Sequence, residues 1–224
     1  MRAPVSVVIP TLNAEAALGP CLASLGEGLK AGLLRELVIS DGGSDDATRE
    51  IAEAAGAIWI EGPPGRGGQL ARGVAATNGV WLLVLHADTV LAPDWPVAVL
   101  QGIEAGRPGF FRLRFRAKGF GASLVAGWAN LRARVFGLPF GDQGLLVSRA
   151  DYTAAGGYPD IPLMEDLALV RTLPRPRPLA ATAETDPARY RANGWLRQGA
   201  ANLWRQVRFL TGADPHHLAR GYRD

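Results

Sequence analysis

Three acidic groups in this 224-residue chain, two single aspartates and one Glu-Asp pair, have the setting that catalytic carboxylates need. Asp41 closes the apolar segment Glu36-Leu37-Val38-Ile39-Ser40, and Asp88 follows the apolar run Trp81 to Leu85. Glu165 and Asp166 stand side by side just before a helical stretch. A hard divalent cation takes carboxylate oxygens and keeps substrate phosphate oxygens in its shell, and Asp88 is the position suited to that. Each aspartate can equally cap the turn that follows it. Asp166 suits a general base for an incoming hydroxyl, although paired carboxylates in a first helical turn also simply answer the helix dipole. His86, two residues before Asp88, reads as a non-ligand that orients its neighbours or is buried and hydrogen-bonded. The loop Gly62-Pro63-Pro64-Gly65-Arg66-Gly67-Gly68 is either a plain turn or a loop that lets Arg66 reach a diphosphate.

Such residues need a scaffold that gathers strand ends. Residues 4–10 read as a buried strand, because Val7, Val8 and Ile9 are adjacent and β-branched. Leu18, Leu22, Leu25 and Leu29 recur at helical spacing behind it. Strands follow at 36–40, 57–60 and 80–85, with helices at 45–55, capped by Ser44, and at 69–77. This alternation predicts an α/β fold with a mainly parallel central sheet and helices on both faces. Ligands of such sheets lie beyond the carboxyl ends of the strands. Those ends are Thr11 to Glu15, Asp41, the 62–68 loop and His86 to Asp88.

Further along, helices are expected at 93–105, 119–136 and 165–173, and strands at 109–116 and 145–147. Pro174, Pro176 and Pro178 end the helix before them. One long helix is expected over 188–210. Without an interrupting linker, residues 1–224 read as a single domain. Its parts are residues 1–90, residues 91–190 and a C-terminal helical segment (191–224).

Composition excludes several classes. Hydrophobic residues make up 48% and charged residues 20%, which rules out a mainly disordered chain. Cys21, a small buried hydrophobe by expectation, is the only cysteine, so no intrachain disulfide or cysteine-based zinc site can form. No GxxxxGK[ST] loop is present, and no GxGxxG follows the first strand. Net charge is +3, with acidic residues interspersed through the first half, so no nucleic-acid partner is expected. No signal-peptide pattern opens the sequence and no apolar run nears the ~20 residues of a membrane span, which makes a cytoplasmic protein the expectation.

In their order, the motifs resemble those of the inverting family-2 glycosyltransferases of GT-A fold. "VVIPTLNAE" (7–15) resembles the family's nucleotide-binding strand and loop, and "LVISDGGSDDAT" (37–48) its second-strand motif. "LLVLHADT" (82–89) resembles the DXD-type strand end, and "GGYPDIPLMED" (156–166) the acceptor-side segment that ends in ED. "GRGGQLARG" (65–73), "LHADT", "GDQG" (141–144) and "PLMED" further resemble the bacterial arsenosugar-biosynthesis-type glycosyltransferases. The resemblance implies that Thr11 and Glu15 line the nucleotide pocket, with Asp41 on the base. It implies that Arg66 and Gln69 lie near the base or diphosphate, with His86 beside the donor. It assigns manganese or magnesium to Asp88, and to Asp166, beside Glu165, the proton of the acceptor hydroxyl. The chain departs from the family at His86, which replaces the first DXD aspartate. It departs again at 186–190, where Asp186, Arg189 and Tyr190 stand in a QxxRW-like segment. Transfer of a single sugar is therefore expected rather than processive polymerisation.

The expected acceptor is an unidentified small molecule or a lipid-linked one. Leu196, Leu203, Val207 and Leu210 form an apolar stripe on the C-terminal helix, expected to pack on the core. The alternative is a peripheral membrane contact by a basic, Trp-bearing helix, which would make the protein membrane-associated. Two other functions compete: a catalytically degenerate nucleotide-sugar or partner-binding protein of the same fold, and a sugar nucleotidylyltransferase. The latter wants a Gly- and Arg-rich loop directly after the first strand, which Thr11 to Glu15 do not provide.

Overall fold

Runs of buried branched residues form the strands at the centre of the molecule, seen in a computed structural model that describes residues 3–223. The first part alternates strand and helix. It comprises β1 (Val5–Thr11), α1 (Glu15–Lys30), β2 (Leu34–Asp41), α2 (Thr48–Ala54), β3 (Ile58–Glu61), α3 (Arg66–Ala75) and β4 (Trp81–Val84). There follow β5 (Val90–Leu91), α4 (Trp95–Glu104), β6 (Gly109–Phe115), α5 (Phe120–Phe136), a 3₁₀ turn (Gly141–Gln143), β7 (Leu145–Ser148) and α6 (Arg149–Ala154). The chain ends with α7 (Glu165–Val170), β8 (Arg177–Thr185), α8 (Ala188–Asn193), α9 (Trp195–Leu210) and α10 (Pro215–Arg223).

The described strands form one eight-stranded sheet in the order β3-β2-β1-β4-β7-β6-β8-β5. The β3-β2-β1-β4 block is parallel throughout, as expected of repeated strand–helix units. β7 then runs antiparallel to both β4 and β6, so the sheet is mixed. β8 pairs parallel to β6 and antiparallel to β5. Both borders are short: β3 has four residues and β5 two.

Successive side chains sort to opposite faces of the sheet. Val5, Val7, Ile9, Leu83 and Leu85 meet Leu18, Cys21 and Leu25 of α1 and Trp95 and Val99 of α4. Val8, Leu82, Val84, Leu145 and Val147 meet Leu70 and Val74 of α3 and Leu169 and Val170 of α7. Cys21 is fully buried, as its type suggests.

Several boundaries differ from expectation. Ser44 does not cap α2, which begins at Thr48; its hydroxyl instead bonds Asp41. The 62–68 loop is shorter than expected, since Arg66 already starts α3. α7 ends at Val170 rather than 173. The prolines that follow lead into β8, a nine-residue strand that was not expected. The long final helix is broken at Gly194, whose φ of 81° suits glycine, into α8 and α9. α9 also does not bury its leucine stripe: its buried residues are Gln198 and Gln206, while Leu196, Leu203, Val207 and Leu210 are exposed. No helix among the described residues is long and apolar enough to cross a membrane.

Candidate active site

Thr11 and Asp41 are cross-strand partners at the carboxyl ends of β1 and β2. Asp41 is 0% exposed, and its carboxylate accepts four hydrogen bonds. Oδ1 receives the hydroxyls of Thr11 (2.7 Å) and Ser44 (2.6 Å). Oδ2 receives the Gly43 and Ser44 amides, both at 2.7 Å. Burial pushes the carboxyl pKa up, but these donors outweigh it and hold the group below its ordinary value. Asp41 thus organises the loop after β2 and ties it to the end of β1 through Thr11.

That loop is knitted to the loop after β1. Ser44 Oγ accepts from the Asn13 amide, Asn13 Oδ1 from the Asp45 amide, and Glu15 Oε2 from the Ala47 amide at 3.1 Å. Asn13 takes a left-handed φ of 50° to make this bridge. Glu15 is exposed there, at the N-terminus of α1.

α3 supplies the next layer. Gln69 is buried and donates through Nε2 to the carbonyls of Thr11 (2.6 Å) and Ser40 (3.0 Å). Its amide therefore ties β1, β2 and α3 together. Arg72, which the sequence did not single out, donates to the Asp41 and Pro63 carbonyls. Gly67 lets the first turn of α3 lie directly on the 159–161 turn: a Cβ there would stand 2.1 Å from the Pro159 oxygen. This close approach brings Arg66 Nη1 to 3.7 Å from Glu165 Oε1.

Glu165 and Asp166 open α7 behind Met164, whose φ of 67° is left-handed. Asp166 Oδ2 accepts the Gly141 amide and Oδ1 the Leu167 amide, each at 2.7 Å. His86 sits against the same turn, since a Cβ on Gly141 would come within 2.2 Å of its Nε2. Burial and the Arg66 charge push the His86 pKa far down against the pull of Asp166, so the imidazole is neutral. Asp88 accepts the Thr185 hydroxyl through Oδ2 at 3.0 Å, and its carbonyl accepts from Arg116.

Asp142 joins this group although sequence reasoning gave it no role. Burial raises its carboxyl pKa to about 6, with Arg132 pulling it down and Asp166 and Asp88 pushing it up. Its neighbour Arg132 is itself buried and lies 3.7 Å over the Phe140 ring. The available signal was the motif "GDQG", but nothing local announces that an arginine from α5 will be buried beside it.

The structure thus brings Arg66, His86, Asp88, Asp142, Glu165 and Asp166 to one end of the sheet, with Thr11, Asp41 and Gln69 beside them. The family model described as Glycosyl transferase family 2 matches residues 6–136, more than half of the chain.

The chain belongs to glycosyl transferase family 2.

Among relatives of this family-2 chain, glucosyl-3-phosphoglycerate synthase of Mycolicibacterium smegmatis is 33% identical over 132 residues. The match covers 51% of this chain and 43% of the relative. A PGL/p-HBAD biosynthesis glycosyltransferase of Mycobacterium bovis is 38% identical over 99 residues, 41% of this chain and 38% of that protein. The chain therefore spans less than half the length of these curated relatives. A crystal structure of Mycobacterium tuberculosis glucosyl-3-phosphoglycerate synthase with Mn2+, UDP and glucosyl-3-phosphoglycerate superposes with a TM-score of 0.54 at 24% identity. It covers 89% of this chain and 78% of that one. S. aureus TarS 1-349 with UDP gives 0.60 at 16%, over 96% and 68%. These likenesses support the GT-A fold; the arsenosugar-type resemblance rests on the sequence motifs alone.

In this candidate site Glu165 is 1% exposed, and neither of its oxygens has a hydrogen-bond partner among the described residues. Burial, reinforced by Asp166 and opposed by Arg66, raises its pKa to about 7. The native state therefore holds a proton that the unfolded chain has already released. Stability complete below the ordinary value of 4.5 is lost as the pH rises through about 7. Glu165→Gln, which cannot ionise, gains on the wild type across that window, and thermal unfolding of both proteins against pH measures the widening gap.

Proposed function

We propose that the chain transfers a single sugar from a nucleotide-diphosphosugar, uridine-linked, to an acceptor hydroxyl with inversion at the anomeric carbon. The observation that carries this reading is Asp166, a carboxylate fixed by two amides at the strand ends beside a neutral His86. An oxygen that accepts one amide keeps a second lone pair, so Asp166 can receive the acceptor proton. The acceptor oxygen forms a bond to the anomeric carbon while the bond to the diphosphate breaks, and the electron pair leaves with the nucleoside diphosphate. Thr11, Glu15 and Gln69 frame the nucleotide pocket, and Asp41 holds the loop that lines it. Arg66 faces the diphosphate from the start of α3 and exchanges its contact with Glu165 for one with phosphate.

The residues fit a divalent cation of the phosphate-bridging kind. Thr185 engages one of the two Asp88 oxygens, which leaves a hard carboxylate oxygen for a metal. Among the described residues no group of three His, Cys, Asp or Glu side chains could hold an ion by itself. Asp88 would therefore hold manganese or magnesium together with the donor's own phosphate oxygens. When bound, the cation neutralises charge on the departing diphosphate.

Thermal unfolding against UDP, GDP, ADP and CMP, with and without manganese, tests the reading. Ligand at a hundredfold excess over Kd stabilises the native state by about 2.7 kcal/mol. UDP is expected to raise Tm, more with manganese than without, and Asp88→Asn is expected to remove the manganese-dependent part. A folded protein that answers no nucleotide overturns the proposal.

A further inference from the structure

α9 is inside out. Its buried side chains are two glutamines: Gln206 accepts from Arg132, and Gln198 bonds Asn193 and Asn202. Its leucine stripe and Trp204, 64% exposed, face outward. α5 does the same. Phe120, Leu124, Trp128, Leu131 and Val135 recur at helical spacing on one face, and all are exposed, Phe120 at 82%. Both apolar stripes lie open to water, and contiguous exposed apolar surface of this kind marks an interaction site.

The charges along these two stretches of chain have one sign. No Asp or Glu occurs between Glu104 and Asp142, and none between Asp186 and Asp214. Lys118, Arg134, Arg197 and Arg208 are exposed within these two stretches. Apolar helices rimmed by arginine and lysine match a surface of acyl chains under anionic headgroups.

Between α5 and α9 runs a groove of about 310 Å³. Leu124, Trp128, Leu196 and Leu203 line it, together with Phe140 and Asp142. Phe140 and Asp142 flank Gly141, whose amide is bonded to Asp166. The groove thus joins the apolar face to the two residues on either side of Gly141. We infer that the α5–α9 face docks on an anionic lipid bilayer, and that the groove takes the apolar body of a membrane-borne alcohol whose hydroxyl reaches Asp166. The docking stands by itself, whereas the acceptor role of the groove rests on the transfer reaction proposed above.

Vesicle co-sedimentation of the full chain tests the docking, with phosphatidylcholine alone and with phosphatidylcholine plus phosphatidylglycerol. Binding is expected to the anionic vesicles only, to weaken with salt, and to shift tryptophan emission to the blue. Phe120→Ser, Leu131→Gln and Trp204→Gln combined change exposed residues outside the groove and are expected to weaken partitioning by about tenfold or more. The Tm rise caused by UDP, measured on the same variant, is expected to be unchanged. Failure to bind anionic vesicles, equal binding to neutral ones, or binding unaltered in the variant overturns the docking. So does a dimer in solution that the variant dissolves, because the face would then belong to a second copy. Loss of the UDP response with vesicle binding retained would instead strike the transferase reading. For the groove, the probe is dodecyl glucoside below its micelle-forming concentration. Saturable quenching of tryptophan emission is expected in the wild type and not in Ala200→Trp, which fills the groove. Quenching that survives Ala200→Trp overturns the groove as the apolar subsite.

Discussion

Asp166→Asn lowers the transfer rate by about 10²–10⁴-fold and leaves UDP affinity as it was. The amide has nearly the shape of the carboxylate, so the 3₁₀ turn before β7 and helix α7 keep their places. One of the two amide bonds, from Gly141 or Leu167, loses its acceptor, at about 1 kcal/mol. That cost is small beside the loss of a proton acceptor, because a carboxamide is not basic near neutral pH. The measurement pairs kcat with a donor and a surrogate alcohol against the UDP-induced rise in Tm. Equal loss of both would mean that Asp166 holds the donor side together and is not the base. Glu165→Gln is the companion variant, since it alters the adjacent carboxyl while leaving both amide bonds of Asp166 in place.

Asp41→Ala destabilises the fold by about 3 kcal/mol and removes UDP binding with it. The substitution leaves two hydroxyls and two amides without the acceptor they share, in a fully buried setting. The loop after β2 would lose its anchor, and the loop after β1 is bonded to that loop through Asn13, Glu15 and Ser44. Urea unfolding measures the loss. The pH dependence has a definite sign. Because the folded-state pKa of Asp41 lies below its ordinary 3.8, its contribution is complete above that value and fades as the pH falls through the folded pKa. The stability gap between wild type and Asp41→Ala should therefore narrow in acid. A gap independent of pH would show that the carboxylate charge contributes nothing.

The parallel half of the sheet was legible because each of its strands is a short run of branched apolar residues ending in a polar one. Val7-Val8-Ile9, Val38-Ile39 and Leu82 to Leu85 can be little else, and their ends fall where ligands of such sheets lie. β8 was not legible. Pro178 sits beside the irregular pairing of β6 between Phe110 and Arg112, and the prolines before it read as punctuation rather than as the entry to a strand. The fate of α9 was misread for a related reason. Periodicity shows that a helix has an apolar stripe, but not which side the rest of the protein covers. Here Arg132, buried on α5, draws Gln206 inward and turns the leucines out. The strand-end carboxylates could be found from sequence, whereas Asp142 gains its raised pKa from a burial that only the tertiary fold delivers.

The shortness of the sheet's borders decides how this protein can stick to itself. A strand edge recruits another chain when it offers a long row of unpaired backbone groups. β3 offers four residues, one of them Glu61, and β5 only two. Strand-to-strand templating of fibrils from the native state thus has little to build on. Precipitation on concentration would start from the helical side, through Phe120, Trp128 and Trp204. Mild detergent should then keep the protein in solution where added salt, which screens the arginines and strengthens apolar contact, should not.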